Sequence, residues 1–266
     1  MAKICFIVGH GKAKGGGYDP GACSDGYEEF KIARKIAKHA AEYYNKHYTE
    51  QADLMNYNGD IYLTDRIRKV NAADYDFIAE IHLNAGKGTG TETFYSSGNS
   101  TGEKYAQEIC RNISAHLGIR NRGVKTKLNK NGKDYFAIIR DTEPTAVLVE
   151  TVFIDTPSDL ANVKYETGQI VCGQAIAKAV ALVRGAEKKT ATAEKAETVN
   201  DGSFLVRVID SALNIRSGAS SSCKKVGVIT DNGTYTIVET NKAGTWGKLK
   251  SGEGWICIKP KYVKKI

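Results

Sequence analysis

Residues 145–155 read TAVLVETVFID, and the organisation of the chain turns on them. Val147, Leu148 and Val149 form an apolar run of the kind found in a buried central strand, and Val152, Phe153 and Ile154 continue it. Glu150 interrupts the run. A carboxylate among such neighbours is costly unless something compensates its lost hydration, so its presence demands a chemical reason.

Outward from this strand the chain alternates short apolar runs with helical patterns. KICFIV (3–8) reads as a buried strand ending at Gly9, and EEFKIARKIAKHAAEYYNKH (28–47) carries a helical stripe from Phe30 to Tyr44. ADLMNY follows as a strand, LTDRIRKVNAA as a helix opened by Thr64, and YDFIAEIHL (75–83) as a strand. TETFYS is a strand, GEKYAQEICRNISAHLG a helix closed by Gly118, and TGQIVCGQAIAKAVALVRG (167–185) a long helix ended by Gly185. The expected fold is α/β over residues 1–185, a mixed or parallel sheet with flanking helices. Residues 186–202 lack any large apolar side chain and read as an exposed linker. Residues 203–266 break into short strand-like runs (FLVRVI, LNIRSG, KVGVIT, TYTIVET, TWGKLK, GWICI), which predict a small all-β barrel.

Bulk properties exclude several classes. With 41% hydrophobic and 26% charged residues the composition is that of a globular protein. No apolar run nears the roughly 20 residues that span a bilayer, so no membrane insertion is expected. The opening MAKICFIVGHG is too short an apolar run for a signal peptide, which implies synthesis in the cytosol. Six cysteines without a C-x-x-C pair suit reduced, mostly buried thiols. Residues 1–183 are nearly neutral, whereas residues 184–266 hold 15 Lys and Arg against 8 Asp and Glu, a balance of +7. The basic part suits an anionic partner, and no recognition helix or RNA-binding motif points to nucleic acid.

Of the five histidines, His39, His47 and His116 sit on helices, where solvated or capping roles suffice. His10 and His82 each follow a buried run and precede glycine, and so lie near strand C-terminal ends, the edge where open α/β sheets bind ligands. Glu150 occupies the corresponding place on its own strand. Two imidazoles and a carboxylate on one edge suggest zinc, which accepts nitrogen and oxygen donors and in catalytic sites keeps three protein ligands. The pair Glu28 and Glu29 opens the first helix. Apolar residues fall 1, 3, 4, 7 and 8 positions after Glu29, which turns Glu29 inward and favours it over Glu28 as a ligand.

His10 after the first strand, Glu29 at the head of the first helix, IHLNAG around His82 and VLVETVFIDTPSDL around Glu150 together resemble the zinc-dependent N-acetylmuramoyl-L-alanine amidases. The resemblance spans residues 1–183, with two departures: DPG (19–21) follows the first histidine instead of preceding it, and Glu80 replaces a small residue before Ile-His. It implies a peptidoglycan hydrolase cutting the amide between N-acetylmuramic acid and L-alanine. By that resemblance His10, Glu29 and His82 hold Zn²⁺, and Glu150 is the catalytic acid/base that takes a proton from water and returns it to the leaving amine. LNIRSGAS (213–220), TWGKLK and GWICI resemble a bacterial SH3-like cell-wall-binding domain. The whole is similar to phage endolysins, with peptidoglycan and anionic wall polymers as implied partners. A zinc peptidase cutting within the stem peptide and a non-catalytic wall-binding protein are the alternatives.

Overall fold

The computed structural model describes residues 3–189, 203–210, 212–229 and 233–266. The chain divides into two compact units, Met1–Thr190 and Ala191–Ile266. Most of the expected linker, residues 190–202, lies outside the described residues. Its first residues, 186–189, belong to the first unit: Glu187 O accepts from Thr49 N–H at 2.9 Å, and Lys189 N–H donates to His47 O at 2.9 Å. Backbone pairing ties these residues to the first unit, while Glu187, Lys188 and Lys189 stay exposed, as their polarity implies.

The first unit opens with β1 (Ile4–Val8), then four two-residue strands, β2 (Gly11–Lys12), β3 (Tyr18–Asp19), β4 (Cys23–Ser24) and β5 (Tyr27–Glu28). Helix α1 (Glu29–His47), β6 (Ala52–Met55), α2 (Leu63–Asn71), β7 (Phe77–Asn84) and β8 (Thr91–Tyr95) follow. The unit continues through α3 (Ser100–Leu117), β9 (Asn121–Lys125), α4 (Ala137–Arg140), β10 (Thr145–Phe153), α5 (Pro157–Val163) and α6 (Glu166–Arg184). Six strands make one sheet in the order β6-β1-β7-β10-β8-β9. The β10–β8 pair is antiparallel and the other pairings are parallel, so the sheet is mixed, as the alternation of elements predicts.

Successive side chains of a strand point to opposite faces, and here the faces differ. Ile4, Phe6 and Val8 of β1, Phe77, Ala79 and Ile81 of β7 and Val147 and Val149 of β10 pack with α1, α3 and α6 in the main core. Cys5, Ile7, Ile78, Ala146 and Leu148 pack on the other side with Val70 of α2 and Ile138 and Ile139 of α4. That second cover is thin and stops short of the strand ends.

Several boundaries differ from those expected. α2 begins at Leu63 with Tyr62 as its cap and no side-chain cap bond, so Thr64 lies inside it. β9, α4 and the strands β2 to β5 went unpredicted because each is only two to five residues long, too short for a periodic pattern of its own. Cys5, Cys110 and Cys172 are buried free thiols, whereas Cys23 is exposed, so only half of the six cysteines are core.

The second unit is all antiparallel. β11 (Phe204–Val208), β12 (Leu213–Arg216), β13 (Lys225–Ile229), β14 (Thr234–Thr240), β15 (Trp246–Leu249), β16 (Trp255–Cys257) and β17 (Val263–Lys265) form a seven-stranded sheet. Alternate residues, among them Val206, Val208, Leu213, Ile215, Ile237 and Ile256, build its core. Trp246 and Trp255 are each half-buried. Among the described residues no helix is long and apolar enough to cross a membrane.

Candidate metal centre and catalytic cleft

The centre begins where β1 runs out. Gly9 N–H donates to Ile81 O at 3.1 Å, tying the exit of β1 to β7. A Cβ on Gly9 would lie 2.2 Å from His82 Cε1, so only glycine lets the His82 ring lie across this strand end. His10 then takes φ 61°, a conformation uncommon outside glycine. Its carbonyl oxygen is anchored twice, accepting from Asn56 Nδ2 at 2.8 Å and from Arg66 Nη1 at 2.8 Å. Buried donors thus hold a strained residue in place, and its imidazole is aimed by the fold.

Glu29, the first residue of α1, is only 3% exposed. Its Oε2 accepts from Ala22 N–H at 2.8 Å, and its Oε1 accepts from Leu83 N–H at 3.0 Å. The same Oε1 lies 2.9 Å from His82 Nδ1 and 3.3 Å from His10 Nε2. Gly21, at φ 71°, makes room for this carboxylate, since a Cβ there would stand 2.6 Å from Glu29 Oε2. Glu28 points elsewhere, accepting from Lys31 Nζ at 2.7 Å and from the Tyr18 hydroxyl at 2.5 Å. The helix phase distinguishes the two glutamates in the same sense.

His10, Glu29 and His82 each offer a ligand atom, and the three atoms lie within 4.8 Å of one another. One nitrogen of each imidazole faces Glu29, and the other is held by a further carboxylate. His10 Nδ1 is 2.9 Å from Asp19 Oδ2, and His82 Nε2 is 3.1 Å from Glu80 Oε2. Glu80 is itself 3.2 Å from Arg66 Nε, in a pair almost fully buried. This is the arrangement that fixes the tautomer and direction of metal-binding histidines.

The titration behaviour reports the same crowding. Burial opposes charge on Glu29, yet hydrogen bonds from His10 and His82 hold its carboxyl below the usual range. Burial also opposes charge on His82, but Glu29 and Glu80 raise its pKa well above the ordinary value. His10 is raised too, with Glu29 and Asp19 outweighing burial. Both imidazoles thus crowd one carboxylate oxygen, at the place where one dication would satisfy all three. The donor set of two neutral imidazoles and a carboxylate, with braced outer nitrogens, fits zinc.

Glu150 lies in register with His82 on the neighbouring strand. It stands inside β10, three residues before the end, where the sequence reading put it at the strand terminus. Parity places it with Leu148 on the thinly covered face, so it is not embedded in the main core. Its Oε2 is buried and has no hydrogen-bond partner. Burial raises its pKa to about 7; Glu29 and Glu92 push the same way, against the opposing pull of His82. A carboxyl so poised can exchange a proton near neutrality.

These groups line a cavity of about 670 Å³ that also reaches Asn84, Phe136, Lys12 and Lys14. Asn84 Nδ2 donates to Glu92 Oε1 at 2.8 Å, and Arg122 Nε holds the other oxygen of Glu92 at 2.7 Å. His39, His47 and His116 are engaged elsewhere: His39 Nδ1 is 3.4 Å from Glu42, the His47 ring packs on Tyr43, and His116 Nδ1 is 2.8 Å from Asn112 O. Asp19, Arg66 and Glu80 went unrecognised as site residues in the sequence. The available signal was the pair of departures from the family pattern, the shifted DPG and the acidic residue before Ile-His.

Residues 4–182 match the N-acetylmuramoyl-L-alanine amidase family, and residues 211–264 match the bacterial SH3 domain family. The chain is 29% identical over 196 residues to an endolysin of Bacillus phage SPP1, covering 71% of this chain and 69% of that one. It is 30% identical over 210 residues to a sporulation-specific N-acetylmuramoyl-L-alanine amidase of Bacillus subtilis, covering 78% and 77%. Among solved structures, an N-acetylmuramoyl-L-alanine amidase from Clostridium difficile 630 superposes with a TM-score of 0.60 at 28% identity, over 69% of this chain and 97% of that one.

Proposed function

This chain belongs to the N-acetylmuramoyl-L-alanine amidase family, and from that premise we propose how its own residues carry out the hydrolysis of peptidoglycan. His10, Glu29 and His82 would hold Zn²⁺, each offering one ligand atom, with Asp19 and Glu80 orienting the two imidazoles. Bound there, the cation would polarise the scissile carbonyl and acidify water. Glu150 positions the attacking water and accepts its proton. It then delivers that proton to the nitrogen of L-alanine as the carbon–nitrogen bond breaks, because an amine leaves poorly as an anion. The lactyl carboxylate of muramic acid and a free L-alanine amino group are the products. The observation that carries this reading is the buried, unpartnered Oε2 of Glu150 beside His82.

The second unit has the match to a bacterial SH3 domain, and we assign it retention on the wall. The +7 balance of residues 184–266 supports attraction to anionic wall polymers, which would weaken as salt rises.

A turbidity assay on purified cell walls tests the reading. Lysis should cease with a chelator, return with Zn²⁺, and release new amino termini on L-alanine alone. Lysis indifferent to chelation would overturn the metal assignment. New termini on any other residue would overturn the bond assignment in favour of a peptidase.

A further inference from the structure

We propose that Lys12 and Lys14, on the hairpin formed by β2 and β3, bind a carboxylate of the stem peptide and make the enzyme prefer substrates that carry it. The inference rests on the amidase reading above and adds a determinant to it. Both lysines line the same cavity as His10, His82 and Glu150. The wall also holds Asp19, Glu29, Glu80 and Glu150, and its other basic groups are already committed: Arg66 to Glu80 and the His10 carbonyl, His10 to Asp19 and Glu29, and His82 to Glu29 and Glu80. Among the described lining residues, Lys12 and Lys14 are therefore the cations left for a ligand, and both are exposed.

Their placement is set by the hairpin. Lys12 pairs with Tyr18 and Gly11 with Asp19, the residue that holds His10. Ala13 N–H donates to Gly17 O at 3.1 Å, which closes the turn that presents Lys14. Two and four residues of extended chain put these α-carbons up to about 7 and 14 Å from that of His10. A peptide leaving the scissile bond advances about 3.5 Å per residue. Carboxylates one to three residues beyond alanine thus fall within reach of ammonium groups on flexible four-carbon stems. The other charges of the wall, Glu150 aside, are paired with one another, so these lysines supply the attraction for such a group and decide which substrate is preferred.

Kinetics on two soluble muramoyl peptides tests this, one with a free carboxylate on the residue after L-alanine and the other with that carboxylate amidated. The native enzyme should favour the free carboxylate about fivefold in kcat/KM, chiefly through KM, as expected for partly exposed ion pairs. In Lys12→Ala/Lys14→Ala the ratio should collapse towards one, and Lys12→Arg/Lys14→Arg should restore it. Rising salt should shrink the native preference. An unchanged ratio in the double alanine variant, or no preference in the native enzyme, would overturn the inference. Failure of the amidase reading looks different: neither peptide would yield free L-alanine amino termini.

Discussion

The two faces of the first sheet are made by the same strands, yet they do opposite work. On one face α1, α3 and α6 seal Phe6, Phe77, Ile81 and Val149 from water. On the other, α2 and α4 cover only the early part of the strands, and beyond Ile78 and Leu148 the same parity continues as Glu80, His82 and Glu150. Stability and chemistry are thereby interleaved residue by residue. A strand buried on both faces supplies the rigidity that holds titratable groups in register, and a missing stretch of cover leaves a cavity where they act.

Variants from the two faces should separate these roles. Glu150→Gln has the largest expected effect on turnover, a loss of about 10³-fold with fold and metal content retained; near-native release of L-alanine amino termini by the purified variant would refute the proton-carrier role. Phe77→Ala, on the sealed face, removes a fully buried ring stacked 3.8 Å from Tyr105. It should cost about 3–5 kcal/mol in denaturant unfolding, and its folded fraction should still bind metal.

A pH series on metal-free protein sharpens the comparison. The Glu150 carboxyl is raised from 4.5 to about 7 in the folded state, so the folded chain binds this proton more tightly than the unfolded chain. The corresponding stability is present below pH 4.5 and is lost as pH rises to about 7, by on the order of 3 kcal/mol. Stability measured relative to Glu150→Gln should therefore fall across that window; a flat difference would show that Glu150 is not desolvated. The smallest effect belongs to the braces. Asp19→Asn and Glu80→Gln should each weaken Zn²⁺ about tenfold in competition with a chelator, since the ligands stay but lose their orientation.

The α/β class, the buried β1, β7 and β10, and the long α1, α3 and α6 were legible because the strands are short apolar runs and the helices are long stripes of helical period. Glu29 was separable from Glu28 by helix phase, and the structure puts its carboxylate between His10 and His82. The thin strands β2 to β5 were not legible, although they carry Asp19 and Lys12 to the cleft, because two-residue strands in local hairpins are too short to show a period. Glu80 looked like a departure from pattern and proved to be a buried partner of His82 and Arg66.

By itself, then, the sequence determined the long helices and the buried central strands, and which side chains could supply metal-binding and proton-carrying chemistry, since side-chain type and period are local properties. Only the tertiary structure decided which nitrogen of each imidazole faces Glu29, which carboxylates brace the other, and that Glu150 opens onto a cavity instead of a core. Those outcomes depend on strand register, a glycine-sized gap at Gly9 and burial, all of which arise when segments far apart in the chain come into contact.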